Sequence, residues 1–250
     1  MISATLGYVR FELVRAFRNR DALLFRLGLP AGLYVVFRAV IFPGSNEPVE
    51  GLPSDAAAMV AFAVFGALYS TVFSSGPPLA NERAIGWLRQ LRVTPLPAGV
   101  AVAGKVVSAM AFALPSIVLV AVAAALTQDV RLGVDQWLEL TVLIWLAASA
   151  FTALGVLIGL AIGDPETAQS ATSAALIVMW LFGGLVTSSD LPGPLETLAD
   201  GMPPSAAGEL GFAAARGDAV PLSSVAVLAV WTAALSLLAA LAWRRRAGAR

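Results

Sequence analysis

Asn81-Glu82-Arg83-Ala84-Ile85-Gly86-Trp87-Leu88-Arg89-Gln90-Leu91-Arg92-Val93-Thr94-Pro95-Leu96-Pro97 is a polar, positively charged stretch set between two apolar ones, residues 56–75 and 100–126. The first flank holds no charged residue and the second only Lys105. Each is as long as the ~20 residues a helix needs to cross a bilayer core. A charged, proline-bounded segment between two such flanks must lie in water, against headgroups or against a soluble partner.

The rest of the chain has the same character. With 58% hydrophobic and 13% charged residues and a mean hydropathy of +0.82, it is an integral membrane protein rather than a soluble domain. Its formal net charge of zero says little about partners, because in a membrane protein the distribution of basic residues among the loops matters more. Cysteine and histidine are both absent. That excludes disulfides and thiol chemistry and removes the usual imidazole ligand and general base.

Outward from the polar segment, a window of roughly 20 residues picks out about six spans, over 22–42, 56–75, 100–126, 137–162, 167–188 and 222–243. The start of the chain lacks the short apolar core of a cleavable signal, so the first span is expected to act as an uncleaved one. Arg10, Arg15, Arg18, Arg20, Arg83, Arg89, Arg92, Lys105, Arg244, Arg245, Arg246 and Arg250 fall on one side, and only Arg131 and Arg216 on the other. By the positive-inside rule the first side is cytoplasmic and holds both termini.

Leu6, Val9, Leu13 and Phe17 recur at helical spacing, with Glu12, Arg15 and Arg18 opposite, so residues 1–21 read as an interface helix with its apolar face in lipid. A generic topogenic basic start fits the same residues. Arg26 and Arg38, near the ends of the first span, are expected to snorkel. Pro77 and Pro78 are expected to end the second span. Ala84, Ile85, Leu88 and Leu91 then form one face of a short amphipathic helix within a cytoplasmic segment, 76–97. That helix is either a transmitter of motion to both flanking spans or a turn resting at the interface.

Gly163-Asp164-Pro165-Glu166-Thr167 has the pattern of a helix start, with Asp164 as cap, Pro165 at the first position and Glu166 facing the dipole. It is either a plain turn or a second partner contact. Short helices are also expected in the loop 189–221, where Asp190 to Leu195 and Met202-Pro203-Pro204-Ser205 look like starts. Gly155 and Gly159 have the small-x-x-x-small spacing of closely packed helices. Gly99 to Lys105 mimics a phosphate loop, but Val106 stands where a magnesium-binding hydroxyl is required and no strand precedes it.

Glu82-Arg83, Gly86, Leu88, Leu91 and Thr94-Pro95-Leu96 resemble a motif of the type-two (ABC-2-like) exporter permeases of ATP-binding-cassette transporters, and Gly104-Lys105 resembles that family's entry to span three. Arg89 stands where a second acidic residue is usual. The resemblance implies an all-α polytopic membrane protein: a single permease domain over 1–250, with about six transmembrane helices, an N-terminal interface helix and short outer helices between spans five and six. It implies that Glu82, Arg83, Gly86, Trp87, Leu88, Arg89, Leu91, Arg92, Thr94 and Pro95, with Asp164 and Glu166, couple to a separate soluble ATPase subunit. ATP and magnesium would be held there, leaving this chain no catalytic residue, cofactor or metal.

The expected partners are that ATPase, a second permease copy in a homodimer, and the lipid bilayer of a bacterial plasma membrane; nucleic acid is not among them. The expected activity is export of an amphipathic drug, antibiotic or lipid-like compound. An ion-coupled secondary transporter would call for ionisable groups near the bilayer centre, where these spans carry few. A membrane anchor without transport activity would use the same amphipathic segment to hold a partner.

Overall fold

The computed structural model describes residues 2–19, 23–41, 47–87, 90, 99–181 and 193–247, and those residues are almost entirely helical. In chain order the helices are α1 (Ile2–Arg18), α2 (Leu24–Ile41), α3 (Ser54–Ala84), α4 (Val100–Thr127), α5 (Val134–Ala161), α6 (Pro165–Leu181), α7 (Gly193–Asp200), α8 (Pro203–Arg216) and α9 (Leu222–Ala247). Among the described residues no β-strand forms, only an isolated bridge between Val49 and Leu52. The protein is an all-α polytopic membrane protein. Among the described residues five helices, α2, α3, α4, α5 and α9, are long and apolar enough to cross a membrane. The described part of the remaining expected span is α6, 17 residues long.

α3 is the axis of the bundle. It is buried on nearly all sides, against α4 and α5 above all, as expected of a helix that is apolar all round. Pro77 and Pro78 do not end it: the helix runs unbroken through both to Ala84. Close packing against α5 supports the backbone there. A Cβ at Gly159 would lie 2.6 Å from the Gly76 carbonyl oxygen, and one at Gly76 would lie 3.1 Å from that of Gly155. The two helices therefore meet backbone to backbone where the prolines withdraw their donors, which offsets the disruption an isolated helix would suffer.

α2 begins and ends in π-helical turns, Leu24–Gly28 and Phe37–Ile41, around an α-helical centre. The first turn leads directly into the segment containing Pro30, where a wider helix accommodates the missing amide. Neither arginine of α2 extends freely to the interface. Arg26 lies over the Phe112 ring, 5.6 Å from its centroid, and Arg38 is buried. Arg38 pairs with Asp55, its Nε donating to Oδ1 at 2.6 Å.

α8 is only 14 residues long, about 21 Å at 1.5 Å per residue, too short to cross a ~30 Å core. It is nevertheless buried, packed against α3, α5 and α9 through Ala206, Ala207, Leu210 and Ala214. A Cβ on Gly211 would lie 2.6 Å from Val60 and 3.2 Å from Ile144, so glycine allows α8 to settle between α3 and α5. Gly217, with φ of 75°, closes its C-terminus. Gln136 at the start of α5 donates to the Ala215 carbonyl at 3.0 Å.

Candidate functional site

At the end of the bundle opposite α8, three helices meet around one ammonium group. Lys105 is the only lysine in the sequence. It sits one turn into α4 and is 5% exposed. Its Nζ donates to Glu12 Oε2 of α1 at 2.7 Å and lies 2.7 Å from Glu82 Oε1 of α3. Arg15 reaches the same Glu82 oxygen at 2.8 Å. Both carboxylates are 1% exposed. Two buried carboxylates are thus matched by a buried ammonium and by a guanidinium reaching in from a half-exposed side chain, in a place where unpaired charge would be prohibitive.

Local sequence makes this approach possible. A Cβ on Gly104 would lie 2.9 Å from the Tyr8 ring and 3.2 Å from Glu12 Cγ, so glycine admits α1 while its neighbour supplies the cation. Tyr8 donates to Glu12 Oε1 at 3.4 Å. Burial, with the Glu12 charge beside it, pushes the Tyr8 phenol up to about 12. α1 thus turns Tyr8 and Glu12 inward and leaves Leu6, Phe11 and Val14 exposed. This corrects the expected arrangement in which Glu12 shares an outward polar face with Arg15 and Arg18. Burying Glu12 beside Lys105 gives its carboxylate a cation at 2.7 Å, a partner that α1 itself does not supply on that face.

Arg83, the next residue after Glu82, reaches in another direction. Its Nη1 donates to the carbonyls of Gly159 at 2.8 Å, Leu160 and Ile162 at 3.2 Å. These carbonyls, at the C-terminal end of α5, have no partner within the helix, and a cation there also complements the helix dipole. Consecutive residues of α3 thus hold two different sets of helices, Glu82 grasping α1 and α4 and Arg83 grasping α5.

α3 ends at Ala84. Gly86 has φ of +76°, its amide bonds to the Arg83 carbonyl at 3.1 Å, and the Gln90 amide bonds to the Gly86 carbonyl at 3.2 Å. The turn at Ile85–Gly86 divides the expected stripe of Ala84, Ile85, Leu88 and Leu91, because a left-handed residue interrupts helical phase. Ile85 is left exposed and Trp87 half-buried. Leu88, Arg89, Leu91, Arg92, Thr94 and Pro95 lie outside the described residues.

Asp164 and Glu166 are exposed at the same end, just past the Ile162 carbonyl that Arg83 holds. Asp164 Oδ2 accepts from both the amide and the hydroxyl of Thr167, each at 2.7 Å. Those bonds hold its carboxyl below the usual carboxylate range. The structure therefore brings Glu82, Arg83, Gly86, Trp87, Asp164 and Glu166 to one end. Glu82 and Arg83 are engaged inside the protein, while the two later acids are presented outward. Glu12, Arg15 and Lys105 escape a local reading because their partners are 67 and 93 residues away. A lone lysine within an apolar span is the sequence signal that points to them.

Residues 5–210 match the family described as ABC-2 type transporter. The chain is also similar to the Bacillus subtilis (strain 168) protein named "Putative transport permease YvfS", with 25% identity over 228 residues, covering 91% of each chain.

Proposed function

The chain belongs to the ABC-2 type transporter family as a transmembrane permease subunit, and from that premise we propose that it exports an amphipathic compound, driven by a separate ATPase that docks on the segment after α3. The working unit in this reading is a homodimer of permeases in a bacterial plasma membrane, with both termini cytoplasmic. The cargo class is a drug, an antibiotic or a lipid-like molecule.

The observation that carries the proposal is the double grip at the end of α3. A docking segment continuous with Glu82 and Arg83 is tied through their side chains to α1, α4 and α5, so a force applied there is delivered to four helices together. Glu82 and Arg83 act as positioning residues. Direct contact falls to the exposed acids Asp164 and Glu166 and to Trp87, Leu88, Arg89, Leu91, Arg92, Thr94 and Pro95. ATP and magnesium reside on the partner.

The test is purification of the permease with its ATPase. Replacing Arg89 and Leu91 together is expected to weaken co-purification while leaving membrane insertion intact. If that double variant retains both normal complex formation and transport, the docking assignment is wrong. Stimulation of the partner's ATP hydrolysis by candidate compounds, with the complex in lipid discs, separates a transporter from an anchor.

A further inference from the structure

A groove of about 600 Å³ lies between α4, α5 and α9. Its walls include Val102, Val106, Val156, Leu160 and Ala239, and no ionisable side chain is among the described residues lining it. Val106 and Val107, on one wall, are exposed, so the groove opens sideways from the bundle.

Its two ends differ. At one end stands Trp243, followed by Arg244, Arg245 and Arg246, an aromatic residue and a basic cluster of the kind found at the headgroup level. At the other stand Ser149, Thr152 and Thr232. Their hydroxyls are already engaged: Thr152 donates to Ala148 at 2.8 Å, Thr232 donates to Leu228 at 2.7 Å, and Ser149 lies 3.4 Å from Thr232. The deep end therefore does not require a polar group from an occupant. Thr232 and Trp243 are eleven residues apart on α9, or about 16 Å along a helix, close to half of a ~30 Å hydrocarbon core. The groove is thus one leaflet deep, mainly apolar, open to the side and followed in the chain by a basic run.

We infer that this groove seats an acyl chain of an anionic phospholipid whose headgroup is drawn to the basic run that begins at the exposed Arg244. Shape and depth select the chain, and the arginines select the charge. The inference does not depend on the identity or direction of the cargo.

The experiment uses the full chain in phosphatidylcholine vesicles containing either phosphatidylglycerol or phosphatidylcholine with brominated acyl chains. The fluorescence difference between the wild type and Trp243→Phe isolates Trp243. Brominated phosphatidylglycerol is expected to quench Trp243 at several-fold lower mole fraction than brominated phosphatidylcholine. R244Q/R245Q/R246Q should abolish that preference and R244K/R245K/R246K should keep it, which separates loss of charge from faulty insertion. Val106→Phe with Ala240→Phe, both on exposed walls, should reduce quenching by either lipid. Equal quenching of the wild type by the two lipids overturns the inference, as does a phosphatidylglycerol preference that survives in the glutamine variant. Because the sequence has no cysteine, Ala240→Cys tests for a second copy on this face. Efficient crosslinking of that cysteine to itself, with Trp243 unquenched by both lipids, also overturns it.

Discussion

The two ends of the bundle use buried charge to different extents. At one end, α1, α3, α4 and α5 are joined by charge: Lys105 between two buried carboxylates, Arg15 on both of them, and Arg83 on the carbonyls of α5. At the other, Arg38 ties α2 to Asp55 at the start of α3, but α8 itself is held mainly by alanines and a glycine packed against α3 and α5. Charge pairs in a dry site are demanding in geometry and cost several kcal/mol when one partner is lost. Contacts among small apolar side chains are individually weak and tolerate sliding. The charged end therefore depends on a few exact pairings and the α8 end on many small contacts, and under the proposed function force would enter at the first.

The most damaging way to break this contrast is Lys105→Met, which leaves Glu12 and Glu82 buried without their shared cation. A loss of about 3–5 kcal/mol is expected, read as lowered thermal stability in detergent. Adding Glu12→Gln and Glu82→Gln should recover most of it, because the stranded charges are then gone. Arg83→Met should cost about 1.5–3 kcal/mol, the range for hydrogen bonds to a charged group. Its signature is faster amide exchange at the end of α5 with α1 unaffected.

Gly211→Val tests the apolar end. Its branched side chain would collide with Val60 and Ile144, for an overpacking cost of about 1–3 kcal/mol. The displacement should be local, confined in exchange measurements to α8 and its neighbours. The smallest effect is at Asp164. Its folded pKa is depressed by the bonds from Thr167, so its contribution is fully present above the ordinary carboxylate range and is lost as pH falls through the lowered value. The Thr167 amide should exchange more slowly in wild type than in Asp164→Asn at neutral pH, with the gap closing in acid.

What the sequence disclosed follows the range of the interactions. The span pattern, the close approach at Gly155 and Gly159 and the Asp164 cap depend on neighbours in the chain or on uniform burial in lipid, and all three could be read directly. The burial of Glu12 could not. On its own helix it belongs with the arginines, and only Lys105, 93 residues away, reverses that placement. Pro77 and Pro78 misled for a related reason, since a local rule about prolines is overridden by α5 pressing against the same turn. In the candidate site, Glu82-Arg83 and Gly86 stood out as parts of a short motif, though the turn at Gly86 did not. That the two charged members face into the protein was decided by partners from other helices.

The solitary amine of Lys105 has a practical corollary. Reagents that acylate primary amines have one side-chain target in this sequence, and two carboxylates shield it. Its labelling rate is therefore a built-in gauge of how often the junction loosens, readable in the unaltered protein during turnover.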